Sequence, residues 1–373
     1  MPSTKPDLFL NEEGVCNACV SFSARKEVDW EKRKEEMNLL FEKCRNKNYW
    51  DCIIPVSGGK DSTFQVLKIL EFGMRPLCIL ASTCNLSNIG RKNIENIKAL
   101  GVDLIEFSPD PSVRKKLNKL GLTQVGDISW PEHVGIFTIP ATMAVKFSIP
   151  LIVWGENSQN EFGGPVSAAN NHISDRKWME EFGGLLGLRV SDLLGMDDHI
   201  TEKDLLPYQY PTEEQLRSVG VTGIFLGHYI PWDGYSNALI AQAHGFVSHP
   251  TAVEGSTVNY ENLDNLYHGI HDYFKFLKFG FARATDQACL HIRRNRLLRS
   301  DAMKIVRKRD GKFPWSYLDV PLQEILASID LDVERFMKIC DQFTNRSLFM
   351  QDSAGNFLRE KDHSLIKINY DNE

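Results

Sequence analysis

A short apolar run leads directly into Ser-Gly-Gly-Lys-Asp-Ser, and this junction constrains the fold more than any other feature of the chain. The run Cys52–Val56 predicts a buried strand, and the apolar spacing over residues 62–72 predicts a helix after the loop. Gly58 and Gly59 permit a tight turn, and their amides join the helix N-terminus in an anion site. The sequence therefore predicts a phosphate-binding turn between a strand and a helix.

The side chains of this turn suit a nucleotide. Serine hydroxyls donate hydrogen bonds, Lys60 supplies a mobile cation, and Asp61 supplies a carboxylate of the kind that binds Mg²⁺. The spacing is narrower than the Gly-x4-Gly-Lys of the Walker loop and is the signature of the ATP-pyrophosphatase loop, or PP-loop. The alternative is an ordinary Gly-Gly turn capped by Asp or Ser, which the match at six positions disfavours. The predicted ATP-binding residues are Ser57, Gly58, Gly59, Lys60, Asp61 and Ser62, with Mg²⁺ on Asp61.

Enzymes with this loop cleave ATP to AMP and pyrophosphate. They transfer AMP onto a carbonyl or amide oxygen, so that a nitrogen or sulfur nucleophile can displace it. The loop therefore predicts adenylation chemistry, in which Lys60 and Asp61 are catalytic.

Composition excludes several other classes of protein. The chain has 373 residues, a net charge of −6 and a pI near 6.0, so no broad basic surface for nucleic acid is expected. No apolar run approaches the roughly 18 residues of a membrane helix, and the N-terminus Met-Pro-Ser-Thr-Lys-Pro-Asp lacks the charged and apolar regions of a signal peptide. The 8 cysteines are scattered rather than arranged as a disulfide framework. We expect a cytoplasmic protein that binds neither nucleic acid nor membranes.

Strands and helices alternate through the first half of the chain. Strands are predicted at 52–56, 76–81, 102–107 and 149–154, and helices at 62–72, 89–100, 112–120 and 135–147. This alternation predicts an α/β fold with a doubly wound parallel sheet, in which ligands bind beyond the carboxyl ends of the strands. The PP-loop and the segment Trp154-Gly155-Glu156-Asn157 each follow a strand, so both should face one crevice.

Three regions follow from these patterns. Residues 1–30 form a small N-terminal segment with Cys-x2-Cys, residues 31–235 the PP-loop ATP-binding domain, and residues 236–373 a mostly helical substrate or partner region. A polar helix is expected over 30–47, insertions around 183–200 and a further strand over 223–229. Helices are expected over 262–281 and 301–309, followed from residue 331 by one helix and a short hairpin.

Polar residues at the end of the predicted strand 149–154 are candidates for the site. Glu156 is predicted to be catalytic, by assisting Mg²⁺ or orienting substrate, and Asn157 and Glu161 are predicted to bind substrate. The alternative is that Glu156 caps a helix and that Gly163-Gly164 is a plain turn.

A cationic segment, Lys278–Gln287 with Arg293 and Arg294, stands out in this acidic chain. Arginine binds phosphate and carboxylate through two parallel hydrogen bonds. Arg283 is therefore predicted to be catalytic with Asp286, and also to bind substrate together with Lys278 and Arg293. Arg283 and Asp286 are expected in an irregular, Gly-containing stretch. The alternative, a solvated helix face, fits Arg294 and Arg299 best.

Cys16-x2-Cys19 is half of a zinc site. Cys84, His133 or Cys289 would complete it, or the two thiols are free. His133, which precedes a buried helix, is the histidine predicted to contact substrate. No nucleophile motif of a glutaminase is found, so an enzyme that uses ammonia would not make its own.

Together these segments resemble one branch of the PP-loop superfamily, the WbpG/PseA-like N-acetyl sugar amidotransferases of bacterial surface-polysaccharide biosynthesis. The resemblance runs through nearly the whole chain. Five segments carry it: Gly14–Cys19, Ser57–Ser62, His133–Phe137, Trp154–Asn157 with Glu161, and Lys278–Gln287 with Ile292-Arg293.

The resemblance implies an activity and partners. The amide oxygen of a nucleotide-linked N-acetyl sugar would attack the α-phosphate of ATP, and ammonia would displace AMP to give an acetamidino group. A separate glutaminase subunit would supply the ammonia through a cyclase-like barrel subunit. Members of the family typically carry another Cys-x2-Cys a few residues before the segment matching Met1-Pro2-Ser3. Either the natural start lies upstream or half of a zinc ribbon has been lost.

Two further interpretations stay open at this level. One is a tRNA-modifying PP-loop enzyme of the thiolation or lysidine type, which the acidic balance disfavours. The other is a non-catalytic scaffold for the glutaminase and barrel pair, which the intact Lys60 and Asp61 disfavour. The sugar, its nucleotide and the oligomeric state do not follow from the sequence.

Overall fold

A sheet of six strands lies at the centre of the computed structural model, which describes residues 1–157, 161, 173–174, 186–197 and 199–368. The strands are β1 (Cys52–Val56), β2 (Pro76–Ala81), β3 (Asp103–Phe107), β4 (Leu151–Trp154), β5 (Ile173–Ser174) and β6 (Thr222–Phe225). Their order is β3-β2-β1-β4-β6-β5, with β5 antiparallel to β6 and the other five parallel. This confirms the predicted doubly wound α/β fold and puts its switch point between β1 and β4.

Helices connect and cover these strands. The first six are α1 (Asn17–Ala24), α2 (Trp30–Cys44), α3 (Lys60–Glu71), α4 (Asn88–Ala99), α5 (Pro111–Val125) and α6 (Trp130–Lys146). The next four described helices are α7 (Glu202–Leu205), α8 (Glu213–Val219), α9 (Leu226–Tyr229) and α10 (Gly234–Ala243). The last five are α11 (His268–Phe279), α12 (Arg283–Arg293), α13 (Arg299–Arg309), α14 (Leu322–Ala327) and α15 (Val333–Phe343). A hairpin of β7 (Ser316–Tyr317) and β8 (Val320–Pro321) precedes α14.

Apolar side chains project from both faces of β1, because successive residues of a strand point to opposite sides. Ile53 packs in one core cluster with Ile139 of α6, whereas Ile54 packs in another with Phe64 of α3 and Ile94 of α4. Burial on both faces explains why the parallel strands read as continuous apolar runs.

The C-terminal region has its own aromatic core. Tyr267, Phe274, Phe336 and Phe349 are nearly fully buried in one cluster, which also takes in Leu122 of α5. The predicted mostly helical character of this region is confirmed by α10 to α15. No helix of the described residues is both long enough and apolar enough to cross a membrane.

Several predicted boundaries were wrong. The strand expected over 223–229 ends at Phe225, where the chain turns into α9. The helix expected over 262–281 begins only at His268, since Asn262 has φ +56° and the Asn265 side chain accepts the Tyr267 N–H. It ends before Gly280 at φ +72°.

The stretch after Gly280 was predicted to be irregular, and this too was wrong, because it is the regular helix α12. The helix and hairpin expected after residue 331 are confirmed by α15 and by an antiparallel bridge between Gln351 and Phe357. Of the insertions expected around 183–200, residues 183–185 and 198 lie outside the described part. The rest includes a 3₁₀ turn at Val190–Leu193.

Candidate active site

The loop after β1 is a tight turn held by its own serines. Gly58 has φ +85°, and a Cβ on it would lie 3.1 Å from the backbone nitrogen of Ile94, so both conformation and space favour glycine. The Ser57 N–H donates to Ser62 Oγ at 3.0 Å, and the Gly59 N–H donates to Ser57 Oγ at 3.3 Å. Gly59 is the N-cap of α3, so the loop presents its amides at a helix N-terminus, as an anion site requires.

Lys60 lies buried at the start of α3 between two carboxylates. Its Nζ donates to Asp61 and lies 3.5 Å from Glu261 Oε1 and 5.9 Å from the ring centre of Tyr260. Burial lowers the pKa of Lys60, but the Asp61 and Glu261 carboxylates outweigh it and hold that pKa above its usual value. Lys60 is therefore a permanent cation at the base of the loop.

Two amides hold these carboxylates in place. Asn237 Nδ2 of α10 donates to Asp61 Oδ1 at 2.9 Å, and Gln287 Nε2 of α12 donates to Glu261 Oε2 at 2.7 Å. Burial raises the pKa of Glu261, yet the nearby cations Lys60 and Arg283 bring it below its usual value. Both the loop and the C-terminal region therefore contribute to one charged cluster.

Glu156, from the end of β4, lines the same cavity as the PP-loop. The cavity has a volume of about 240 Å³, and its wall includes Lys60, Asp61, Glu156, Glu161 and Arg283. Burial, followed by the charge of Asp61, raises the pKa of Glu156 to about 7 although Lys60 opposes the shift. The prediction that the two strand ends face one crevice is confirmed.

Glu161 connects its own segment to the N-terminal segment and to the end of α12. Its carboxylate lies 2.7 Å from Arg25 and 3.3 Å from Arg294, and its backbone carbonyl accepts from Arg293 Nη2 at 2.7 Å. The buried Asn157 accepts the Glu161 N–H through its carbonyl at 3.3 Å. Glu161 thus ties α12 to the N-terminal segment at the cavity wall. Gly163 and Gly164 lie outside the described residues.

Arg283 opens α12 and reaches the cavity. Its Nε and Nη2 donate to the two carboxylate oxygens of Asp272 at 3.2 and 3.0 Å. Burial lowers the pKa of Arg283, but Asp272, Asp286 and Glu261 raise it above its usual value. This bidentate pair presents a fixed guanidinium to the cavity.

The other members of the cationic segment lie elsewhere. Asp286 pairs with Lys275 of α11 instead of lining the cavity. Lys278 donates to the carbonyls of Val125 and Gly126 at 2.7 and 3.0 Å, where it caps the end of α5. The structure therefore brings only Arg283, of these predicted residues, to the PP-loop.

Cys16 and Cys19 begin α1, with Cys16 at the N-cap. Burial raises the pKa of Cys16, but hydrogen bonds from Cys19 bring it below its usual value, while burial and the Cys16 thiol raise the pKa of Cys19. Within the described part of the chain, neither cysteine belongs to a group of three possible metal ligands. His133 belongs to such a group, but with Asp127 and His271. Zinc on the cysteines stays a prediction.

Several residues of the cluster escaped the sequence analysis. Asn237 and Glu261 approach the PP-loop only through the packing of the C-terminal region, and no local motif marks them. Gln287 lay inside the segment Lys278–Gln287 that carried the family resemblance, so that segment held a usable signal.

The sheet order and the loop at its switch point define an α/β protein of the PP-loop class. Residues 254–361, which contain Glu261, Asp272 and Arg283, match the family model of "LPS biosynthesis protein WbpG-like, C-terminal domain". The match covers less than a third of the chain, which is similar to this family of lipopolysaccharide biosynthesis proteins over those residues.

Two further proteins resemble parts of the chain. An uncharacterised protein of Methanocaldococcus jannaschii, MJ1599, is 29% identical over 114 residues, which cover 29% of this chain and 40% of that protein's length. The structure of NMN synthetase from Francisella tularensis aligns with 52% of this chain and 93% of its own, at 13% identity and a TM-score of 0.27.

Proposed function

We propose that this chain is an ATP-dependent, AMP-forming amidotransferase that converts the N-acetyl group of a nucleotide-linked sugar into an acetamidino group. One observation carries the proposal. The phosphate loop with Lys60 and the Arg283 guanidinium of the WbpG-like domain line the same cavity. Transfer of AMP from ATP to a second substrate requires the group that binds ATP and the group that binds that substrate to lie in one site.

The charges of the cavity fit ATP together with Mg²⁺. Five carboxylates line it, from Asp61, Glu156, Glu161, Glu261 and Asp264, against the two cations Lys60 and Arg283. A triphosphate alone would be repelled, whereas a divalent cation on Asp61 and Glu156 offsets the excess negative charge. When bound, Mg²⁺ would neutralise the charge on the phosphates.

The loop would act by position and charge. The Gly58 and Gly59 amides and Lys60 would hold the phosphates and stabilise the departing pyrophosphate. The amide oxygen of the sugar would attack the α-phosphorus, so the phosphorus–oxygen bond to pyrophosphate breaks as an imidate–AMP bond forms. Ammonia would then add to the imidate carbon, lose protons and expel AMP, giving the amidine.

Arg283 is the residue proposed to recognise the sugar nucleotide. Its bidentate pair with Asp272 fixes the guanidinium plane, and arginine binds phosphate or a uronate carboxylate through two parallel hydrogen bonds. Glu161, Arg293, Asn157 and His133 remain proposed substrate contacts, and Asp286 a proposed catalytic residue. Their own pairs would need to rearrange for those roles.

A glutaminase subunit and a cyclase-like barrel subunit are proposed as the ammonia source. Two observations support a separate source of ammonia: no cysteine is among the described residues that line the cavity, and none of the 8 cysteines lies in a glutaminase nucleophile motif.

A panel of nucleotide-linked N-acetyl sugars incubated with ATP, Mg²⁺ and ammonium tests the function. We expect AMP, pyrophosphate and a product about one dalton lighter with a strongly basic group, detected by mass spectrometry. Pyrophosphate release with tRNA but with no sugar nucleotide would favour a tRNA-modifying enzyme instead. No release with any substrate would favour the scaffold.

A further inference from the structure

Outside the PP-loop cavity, one buried carboxylate is shared by two imidazoles. Asp127 Oδ2 lies 2.8 Å from His133 Nδ1, and Asp127 Oδ1 lies 2.9 Å from His271 Nδ1. The three possible ligand atoms lie within 4.8 Å of one another. Apart from the substrate contact proposed for His133, neither the PP-loop chemistry nor the family match assigns a role to this group.

The carboxylate is held rigidly in a tight turn. The Asp127 N–H donates to the Gly121 carbonyl at 3.0 Å, and Asp127 Oδ1 also accepts the Ser129 N–H at 3.0 Å. A Cβ on Gly121 would lie 2.5 Å from the Asp127 carbonyl and 2.7 Å from Trp130 Cβ, so the close approach requires glycine. Burial raises the pKa of Asp127, but the two imidazoles bring it well below its usual value, so the carboxylate is anionic.

The two imidazoles come from separate helices and keep an open side. His133 lies in the first turn of α6 and His271 in the first turn of α11, with ring centres 4.9 Å apart and planes at 74°. The side chain of Asp127 is 2% exposed, whereas those of His133 and His271 are 28% and 26% exposed. One side of the group is therefore closed by protein and the other is accessible.

We propose that Asp127, His133 and His271 form a binding site for one divalent transition-metal ion, of which Zn²⁺ is the expected one. Two imidazole nitrogens and one carboxylate are the donor set of zinc sites that keep an open coordination position. Ligand atoms about 2.1 Å from a tetrahedral zinc ion lie about 3.4 Å apart, so each imidazole would move about half an ångström from its present 2.8 or 2.9 Å distance to the carboxylate. An ion would replace the two imidazole protons now directed at the carboxylate.

Neighbouring cations are already paired and leave the group available. Arg283 is paired with Asp272, and Lys278 with two backbone carbonyls. Asp272 directly follows His271 in α11, so the ion would lie close to the pair that presents Arg283 to the PP-loop cavity. None of Asp127, His133 and His271 lines the PP-loop cavity, so this metal site is distinct from the proposed Mg²⁺ on Asp61.

Metal titration of the EDTA-treated full chain tests the site. Visible absorption with Co²⁺ and calorimetry with Zn²⁺ should give one ion per chain. His271→Gln should weaken metal binding by more than about tenfold. Loss of a residue that only hydrogen-bonds a metal ligand already weakens metal affinity by at least about that factor. Asp127→Asn should weaken metal binding as much. His268→Gln, in the same helix but paired with Asp264, and the double variant Cys16→Ser/Cys19→Ser should bind as the unmodified chain does.

The alternatives give different results. Loss of binding only in the cysteine double variant would assign the ion to the Cys-x2-Cys segment and overturn the proposal. So would unchanged affinity in His271→Gln, or no Co²⁺ binding by the unmodified chain. Because Asp127→Asn disturbs a buried turn, its circular dichroism spectrum is first compared with that of the unmodified chain. If Asp127→Asn does not fold, the test rests on His271→Gln, since the His271 side chain is partly exposed.

Discussion

Asn237 donates a hydrogen bond of 2.9 Å to the carboxylate of Asp61, although 176 residues separate the two in the sequence. Asn237 is almost fully buried in α10, whereas Asp61 lies in the first turn of α3. The bond holds one carboxylate oxygen on Asn237, and Lys60 donates to the other. The orientation of the proposed Mg²⁺ ligand therefore depends on a helix outside the PP-loop.

We expect Asn237→Ala to raise the Mg²⁺ concentration needed for half-maximal pyrophosphate release and to lower kcat/KM by about tenfold, because the freed carboxylate loses its orientation. Kinetics at varied Mg²⁺ measure both effects. Gln242→Ala is the control, since Gln242 lies in the same helix but bonds Ser248. An unchanged Mg²⁺ dependence in Asn237→Ala would contradict the proposal that Asn237 positions Asp61.

Asp61→Asn should abolish pyrophosphate release and leave the fold intact, because the amide keeps the size of the side chain but loses the negative charge that binds Mg²⁺. Lys60→Ala should also slow release by removing the cation near the leaving group. Lys68→Ala, on the exposed side of α3 where it pairs with Glu71, should behave normally. Near-normal turnover of Asp61→Asn at saturating Mg²⁺ would contradict the assignment.

Arg283→Ala should raise the KM for the sugar nucleotide at least about tenfold and change that for ATP much less, since a charge-assisted contact contributes about 1.5–3 kcal/mol. The same change leaves Asp272 buried without its partner, so the chain should also lose stability.

The double variant Arg283→Ala/Asp272→Asn separates these two effects. It should recover much of the stability but keep the raised KM for the sugar nucleotide. A collapse of ATP affinity in either variant would show instead that Arg283 holds the triphosphate.

Local sequence features predicted the PP-loop correctly because everything that forms it is close in the chain. An apolar run forms β1, glycine permits the turn at Gly58, and α3 begins at once. The shared crevice with Glu156 was also predictable, since parallel strands present their carboxyl ends at one edge.

The remainder of the site depends on tertiary packing that no local pattern contains. Lys278 and Arg283 are five positions apart, but Gly280 ends α11 between them, and only Arg283 reaches the cavity. Reading this stretch as one helix followed by an irregular segment concealed that change of direction. Glu261 lies 3.5 Å from Lys60 although it belongs to the C-terminal region, whose aromatic core also takes in Leu122 of α5.

Asp233 links α10 to the end of α12, and the stability of that link should depend on pH. Its carboxylate lies 2.9 Å from Arg294 Nε, also pairs with Arg296, and accepts the Ser236 N–H at 3.2 Å. Burial raises the pKa of Asp233, but these partners outweigh it and bring it well below 3.8. A depressed pKa means that the folded state holds the proton less tightly than the unfolded chain. The stabilisation is present above pH 3.8 and lost as pH falls below it.

We therefore expect Asp233→Asn to lower the free energy of unfolding by on the order of 2 kcal/mol at pH 7, with a smaller difference below about pH 4. Urea unfolding at a series of pH values measures this. Glu213→Gln, which removes an exposed pair with Arg217, should change stability by less than about 0.5 kcal/mol at any pH. A destabilisation of Asp233→Asn that is the same at pH 7 and at about pH 2 would exclude the charge as its cause.

The purified chain should use ammonium but not glutamine, and should gain glutamine dependence only with a glutaminase partner. None of the 8 cysteines lies in a glutaminase nucleophile motif, while the PP-loop is complete. At neutral pH most free ammonia is protonated and cannot attack, so a partner that delivers neutral ammonia into the cavity avoids that loss and protects the adenylate from water. Amidine formation with ammonium alone should rise with pH as free ammonia increases. Efficient use of glutamine by the isolated chain would refute the partner model.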